Sequence, residues 1–247
     1  MVKQDKEQQM VFGIRAVQEA ISAGKEIEKV MIKKGLQGTL FQNFLDDVRA
    51  NNVPFQFVPM EKLNRLTRQN HQGVIAMISP VSYQNIEQLL PTLFEEGKDP
   101  FVLVLDHITD VRNFGAIART AECAGVHAIV IPDTGAAAVT ADAIKTSAGA
   151  LHSLPVCRVR SLISAVEFLQ ASGLKIVAAT EKGAIDYDKA NYRGPVALVM
   201  GAEDKGVHPK ILNTADVKSR IPILGEIESL NVSVAAGILL YEMVKVR

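Results

Sequence analysis

Cysteine is scarce in this chain, with only Cys123 and Cys157 among 247 residues. Each sits in an apolar stretch, so both read as buried, reduced thiols of a cytoplasmic protein rather than as a disulfide framework. The five histidines are scattered, with no pair at metal-ligand spacing, so no metal site is expected. Long hydrophobic runs are missing too. "AIVIP" and "PVALVM" are far shorter than the ~20 residues that cross a bilayer, so no membrane partner is expected. The first ten residues, "MVKQDKEQQM", lack the apolar segment of a secretory signal and read as a polar leader. Nucleotide signatures are also absent. No G-x-G-x-x-G follows an apolar run, and Gly206 is not followed by a Lys-Ser/Thr pair, which removes dinucleotide and P-loop readings. Net charge is zero, so the chain carries no global basic footprint for nucleic acid.

What is present is an ordinary globular composition, 48% hydrophobic and 22% charged. Residues 11–80 alternate helical and strand patterns: "IRAVQEAISAG" and "LFQNFLDDVRA" are helical, while "IEKVMIKKG", "VPFQFVP" and "QGVIAMISP" read as strands. That is enough for a small α/β domain. Residues 81–99, interrupted by Pro91, fit a linker with a short helix. From residue 100 onward, short Val- and Ile-rich runs ("FVLVLD", "HAIVIP", "VCRV", "KIVAAT", "VALVMG", "SRIPIL") are mostly separated by helical segments. This is the pattern of a buried, mostly parallel sheet, so a second α/β domain is expected over 100–247. Charge is divided unevenly. Residues 1–80 hold 11 Lys and Arg against 8 Asp and Glu, leaving the remainder net acidic. "IKKG" (32–35) and "NRLTRQNHQG" (64–73) are candidates for a local basic surface, although any single one of these charges reads as a solvated loop tip.

Ligands of parallel sheets bind beyond the carboxyl ends of the strands. Three such ends carry polar residues that a core does not need. After "FVLVLD", Asn113 and Gly115 are expected in a turn, with Arg119 in the second turn of a following alanine-rich helix. After "PVALVM" comes "GAEDKGVHP", where Gly201 offers close backbone approach and Glu203 a carboxylate. The third is "GEIESLNVSVAAGILLYE", in which Ser229, Leu230 and Asn231 precede an apolar helix and first read as capping residues.

Together, "NFGAIARTAECAG", "LVMGAEDKG" and "IPILGEIESLNVSVAAGILLYE" resemble the three signature motifs of the SpoU family of RNA ribose 2′-O-methyltransferases, over 101–247. "VFGIRAVQEAI" and "HQGVIAMI" resemble the ends of that family's ribosomal-protein-like substrate-binding domain. The resemblance implies a parallel α/β catalytic domain whose C-terminal chain forms a trefoil knot, behind a small α/β RNA-binding domain. It implies a homodimer with the last helix and the motif helices at its interface. It also implies S-adenosyl-L-methionine, bent in the knot loops, as methyl donor. Carried over by position, Thr180, Gly201, Ile221 and Leu230 contact the donor, and Asn113, Arg119, Glu203, Ser229 and Asn231 surround the reacting ribose. Ser229 and Asn231 would then both cap and serve the site. Many relatives have Pro where this chain has Val111, and another residue at Phe114, which bears on loop shape and RNA preference.

The implied activity is methylation of a guanosine ribose in 23S ribosomal RNA. Alternatives are a transfer-RNA ribose, an RNA-binding assembly factor without catalysis, and a nucleotide-binding enzyme unrelated to RNA. Arg119 is an awkward base, since guanidinium holds its proton above pH ~12. It suits a clamp on phosphate and a developing alkoxide, with Glu203 orienting Arg119 or Asn113 or taking the proton itself.

Overall fold

The computed structural model describes residues 10–183 and 185–247, so most of the polar leader lies outside the described residues. The chain divides into two compact units, residues 1–82 and 83–247.

The first unit contains strand β1 (Met10–Phe12), helix α1 (Ile14–Ser22), β2 (Ile27–Lys33), α2 (Thr39–Ala50), β3 (Phe55–Val58), α3 (Met60–Leu66) and β4 (Val74–Ile78). Its four-stranded sheet runs β1-β4-β2-β3, with β2 and β3 parallel and the other pairs antiparallel. The period-two alternation on β2 and β4 sends Val30, Ile32, Val74 and Ala76 to one face, against Val17, Phe41 and Phe44 of α1 and α2. Met31 and Ile75 point the other way, against Leu63 of α3.

The second unit adds α4 (Ile86–Glu95), β5 (Phe101–Asp106), α5 (Val111–Cys123), β6 (Ala128–Pro132), α6 (Ala141–Thr146), β7 (Val156–Val159), α7 (Leu162–Ala171), β8 (Lys175–Ala179), β9 (Ile185–Asp186), β10 (Val196–Gly201), α8 (Pro209–Thr214), β11 (Val217–Arg220) and α9 (Val232–Val244). Seven strands form one sheet in the order β7-β6-β5-β10-β8-β11-β9, and every pairing is parallel. β5 is buried along its whole length, as continuous apolar runs require when a sheet is covered on both faces. Strand β11 enters between β8 and β9 although it follows both in the chain. The stretch read as a linker carries α4, whose Ile86 and Leu90 belong to this unit's core, and Pro91 lies inside that helix.

Four expectations from the sequence are corrected here. Asn113 and Gly115 are not in a turn. Asp110 caps α5 by accepting the Asn113 N–H at 2.8 Å, so both residues lie inside the helix and Arg119 falls in its third turn. Gly115 is there for packing, because a Cβ would stand 2.7 Å from Thr146 Cβ on α6. Cys123 is exposed, since the buried face of α5 runs through Ile117, Ala118 and Ala121 and its last residue falls outside it. In "SRIPIL" the strand ends at Arg220, and residues 221–230 run on without regular structure. Among the described residues no helix is long and apolar enough to cross a membrane.

Candidate active site

The carboxyl ends of β5 and β10 are adjacent, with Asp106 opposite Gly201 in register. Past Gly201 the chain makes a tight loop, closed by the Gly206 N–H donating to Ala202 O at 2.8 Å. This loop returns across Gly201 so closely that a Cβ there would lie 2.0 Å from the Gly206 carbonyl carbon and 2.2 Å from Val207 N. The close approach expected at Gly201 is therefore made by the chain's own backbone, and that crossing shapes the floor of a cavity.

The cavity has a volume of 380 Å³. Thr180 at the end of β8, Gly201, Ile221 and Leu230 all line it, as do Glu203 and Ser229. Its walls combine strand-end backbone, aliphatic side chains such as Met200 and Leu239, and a surplus of carboxylates, Glu181, Glu203, Asp204 and Glu228 against Lys182 and Lys205.

Beside it, Glu203 joins two amides from distant helices. Asn113 Nδ2 donates to Glu203 Oε1 at 2.9 Å, and Asn231 Nδ2 donates to Asn113 Oδ1 at 3.1 Å and to Glu203 Oε1 at 3.3 Å. The carboxylate only accepts, so Asn113 must turn its NH₂ toward Glu203 and its carbonyl toward Asn231. Asn231 is fixed independently. Its Oδ1 accepts the Ser233 N–H at 2.9 Å and the Ser233 hydroxyl at 2.5 Å, making it the N-cap of α9. One residue thus caps the helix and holds the cluster. Ser229 does not share the capping role, because it stands two residues before the cap, exposed at the cavity wall. Oε2 of Glu203 takes no hydrogen bond from the described residues and remains an open acceptor.

Arg119 is exposed on α5, six residues beyond Asn113 and so on a different side of the helix. It does not line the cavity and has no ion pair with any described residue. Of the nine expected site residues, one chain brings together eight and leaves Arg119 apart.

Asp106 is a residue that sequence patterning passed over. It is 3% exposed, and its Oδ2 accepts the His208 N–H at 2.7 Å, bolting the end of the 201–207 loop to β5. Its Oδ1 accepts from His107 Nδ1 at 2.5 Å. The signal was an ionisable residue ending a strand that is otherwise wholly apolar. Among the described residues, no group of three or more His, Cys, Asp or Glu is gathered for a metal ion.

Comparison with known proteins gives this arrangement a family. Residues 100–241 match the SpoU rRNA methylase family, and residues 10–84 match the RNA 2′-O ribose methyltransferase substrate-binding domain. The Bacillus subtilis protein YacO, named for the TrmH family of tRNA/rRNA methyltransferases, is 32% identical over 96% of this chain and 95% of its own. Among solved structures, the SpoU methyltransferase AviRb of Streptomyces viridochromogenes, in complex with AdoMet, is 25% identical with a TM-score of 0.60, covering 96% of this chain and 89% of that one. The AdoMet-bound rRNA methyltransferase of Sinorhizobium meliloti has the same fold, with a TM-score of 0.62 at 24% identity over 99% of this chain and 90% of that one. A parallel sheet with a loop-floored cavity at its carboxyl edge, an Asn–Glu–Asn cluster beside that cavity, and family matches to both units lead to one conclusion: the chain belongs to the SpoU family of RNA ribose 2′-O-methyltransferases.

Proposed function

We propose that this chain methylates a ribose 2′-hydroxyl of 23S ribosomal RNA, a guanosine ribose on the family resemblance, using S-adenosylmethionine and acting in the cytoplasm as a homodimer. The observation that carries the reading is the meeting of Thr180, Gly201, Ile221 and Leu230 in one cavity beside the Asn113–Glu203–Asn231 cluster. The cavity suits the donor. Ile221 and Leu230 offer an apolar bed for a flat base, strand-end backbone offers hydrogen bonds, and the carboxylate surplus complements a cationic sulfonium and ammonium. When bound, the donor supplies a methyl group already activated by its positive sulfur.

The chain's residues do the rest. Asn113 and Asn231 hold Glu203 through Oε1, which leaves Oε2 to accept the proton of the 2′-hydroxyl. That orientation is pre-set by the α5 and α9 caps, so little reorganisation is needed when substrate arrives. Arg119, with its planar guanidinium fork, serves as the clamp on phosphate and alkoxide. Its exposure and its place outside its own chain's cavity lining support its delivery to the site of a partner subunit. The dimer reading is further supported by apolar side chains that one chain leaves uncovered, Leu224 at 98% and Ile227 at 78% exposed, with Val234 and Tyr241 on α9. We assign RNA affinity and target choice to residues 11–80 and chemistry to 100–247, where the family resemblance implies a trefoil knot.

The test is methylation with a methyl-tritiated donor, offered ribosomal and transfer RNA separately. The expected product is label in ribosomal RNA at a position resistant to alkaline cleavage. Label confined to transfer RNA would transfer the assignment to that substrate, and label in neither would overturn it.

A further inference from the structure

We infer that one end of the first unit's sheet is the face that docks RNA, through a cluster of cations that two distant basic stretches build together. The inference rests on the assignment of RNA binding to this unit and names the surface responsible. β2 ends in Lys33 and is followed by Lys34 and Gly35, while the segment 67–73 leads into β4. The two are locked side by side. Lys33 N–H donates to Gly73 O at 2.8 Å, and Lys34 N–H donates to Val58 O at 2.9 Å, beside the start of α3. Gly73, at φ +83°, lets the Lys33 side chain pass, since a Cβ there would meet Lys33 Cβ at 3.2 Å.

A buried histidine fixes the second stretch. His71 is 4% exposed; its Nδ1 accepts the Gly73 N–H at 3.0 Å, so its Nε2 carries the proton and donates to Asn64 Oδ1 of α3 at 3.0 Å. The loop is therefore a built structure with a neutral imidazole at its centre. It carries Arg68 at the surface beside Lys62 and Arg65 of α3, all exposed. Arg15 joins from the start of α1, because Gly13 N–H donates to Val74 O at 3.0 Å at this same end.

Six cations, Arg15, Lys33, Lys34, Lys62, Arg65 and Arg68, thus gather at one end, where Glu61 is the acid of these stretches. None of the six has an ion pair with a described residue. The acids Glu26 and Glu28 sit at the start of β2, and Asp46 and Asp47 lie late on α2. Stray loop charges would be mixed in sign and held by mobile tips. A cluster of six cations against Glu61 and Glu19, on a histidine-pinned loop, has the character of a phosphate-binding surface. Gly35 and Gly38, both at positive φ with open space on the Cβ side, leave room for a sugar-phosphate chain against the backbone.

The experiment measures anisotropy of a fluorescein-labelled RNA stem-loop titrated with the full-length protein over a range of KCl. The variant Lys34→Glu/Arg65→Glu/Arg68→Glu is expected to bind at least tenfold more weakly and to lower the slope of log K against log [salt] by about 2, as the loss of three phosphate contacts predicts. Lys25→Glu/Arg49→Glu, at the opposite end of the sheet, should leave both unchanged. Calorimetry with S-adenosylmethionine should give the same affinity for parent and variants. If the triple variant binds RNA like the parent while both still bind the donor, the face is wrong and the methyltransferase reading stands. If the opposite-end variant loses as much, binding is diffuse and the inference fails. A parent that binds neither RNA nor donor would overturn the functional reading together with it.

Discussion

Replacing Gly201 by alanine tests whether the chain's own crossing builds the donor cavity. The added methyl would stand 2.0 Å from the Gly206 carbonyl carbon, where ordinary contacts begin near 3.4 Å, so the loop must retreat by about 1.4 Å. The loop is not free to do so. It is held by the Gly206 N–H to Ala202 O bond at 2.8 Å, by the His208 N–H to Asp106 carboxylate bond at 2.7 Å, and by the buried Val207 side chain. Overpacking costs about 1–3 kcal/mol, and weakening a hydrogen bond to a buried carboxylate adds about 1.5–3 kcal/mol. A loss of about 3–5 kcal/mol should lower the melting temperature of a domain of this size by roughly 10 °C. Because the displaced segment is the cavity floor, affinity for S-adenosylmethionine should fall more than tenfold in calorimetry. Gly225→Ala is the matched control, since nothing lies within 4 Å of its Cβ position. A Gly201→Ala protein that melts within a degree of the parent and binds the donor equally would refute the reasoning.

Mixing Arg119→Ala with Glu203→Gln tests delivery across the dimer. With random exchange, half the dimers are mixed and each mixed dimer has one complete site, so about a quarter of the parent's methylation should return from two inactive proteins; no recovery would place Arg119 in its own chain's site. Iodoacetamide should label the native protein once, at exposed Cys123, because burial pushes the Cys157 thiol up to about 12 and hides it; mass spectrometry finding Cys157 labelled would contradict this packing. Burial lowers the pKa of His127, with the charges of Arg247 and Lys98 adding to it, and its Nδ1 accepts the Phe101 N–H at 2.9 Å. The neutral ring is therefore the folded form. Its contribution is complete above the unfolded value of about 6.5 and declines as pH falls below that toward the lowered folded value. Urea unfolding across this window should show stability dropping with acid, and His127→Gln, which keeps an acceptor but does not titrate, should flatten that part of the curve.

Patterning along the chain determined much about this protein. Unbroken apolar runs such as "FVLVLD" called for a parallel sheet because strands covered on both faces have no polar side, and "IEKVMIKKG" read as a strand of the first unit. The motif wording grouped Asn113, Glu203 and Asn231, which the fold joins in one hydrogen-bonded cluster. Tertiary structure decided what depends on contacts far apart in sequence. The capping role of Asn231 was legible locally, but only the meeting of α5, the 201–207 loop and α9 shows that the same side chain holds Glu203, both directly and through Asn113, 118 residues away. Only the return of the chain over Gly201 shows that this glycine, in the cavity wall, also makes room for the chain's own backbone. Asp106 reads in sequence as a strand's polar end; its hold on His208, 102 residues on, exists only once β5 and β10 lie side by side. Local sequence encodes propensity and periodicity, whereas hydrogen-bond partners, burial and steric exclusion belong to residues that the fold alone makes neighbours.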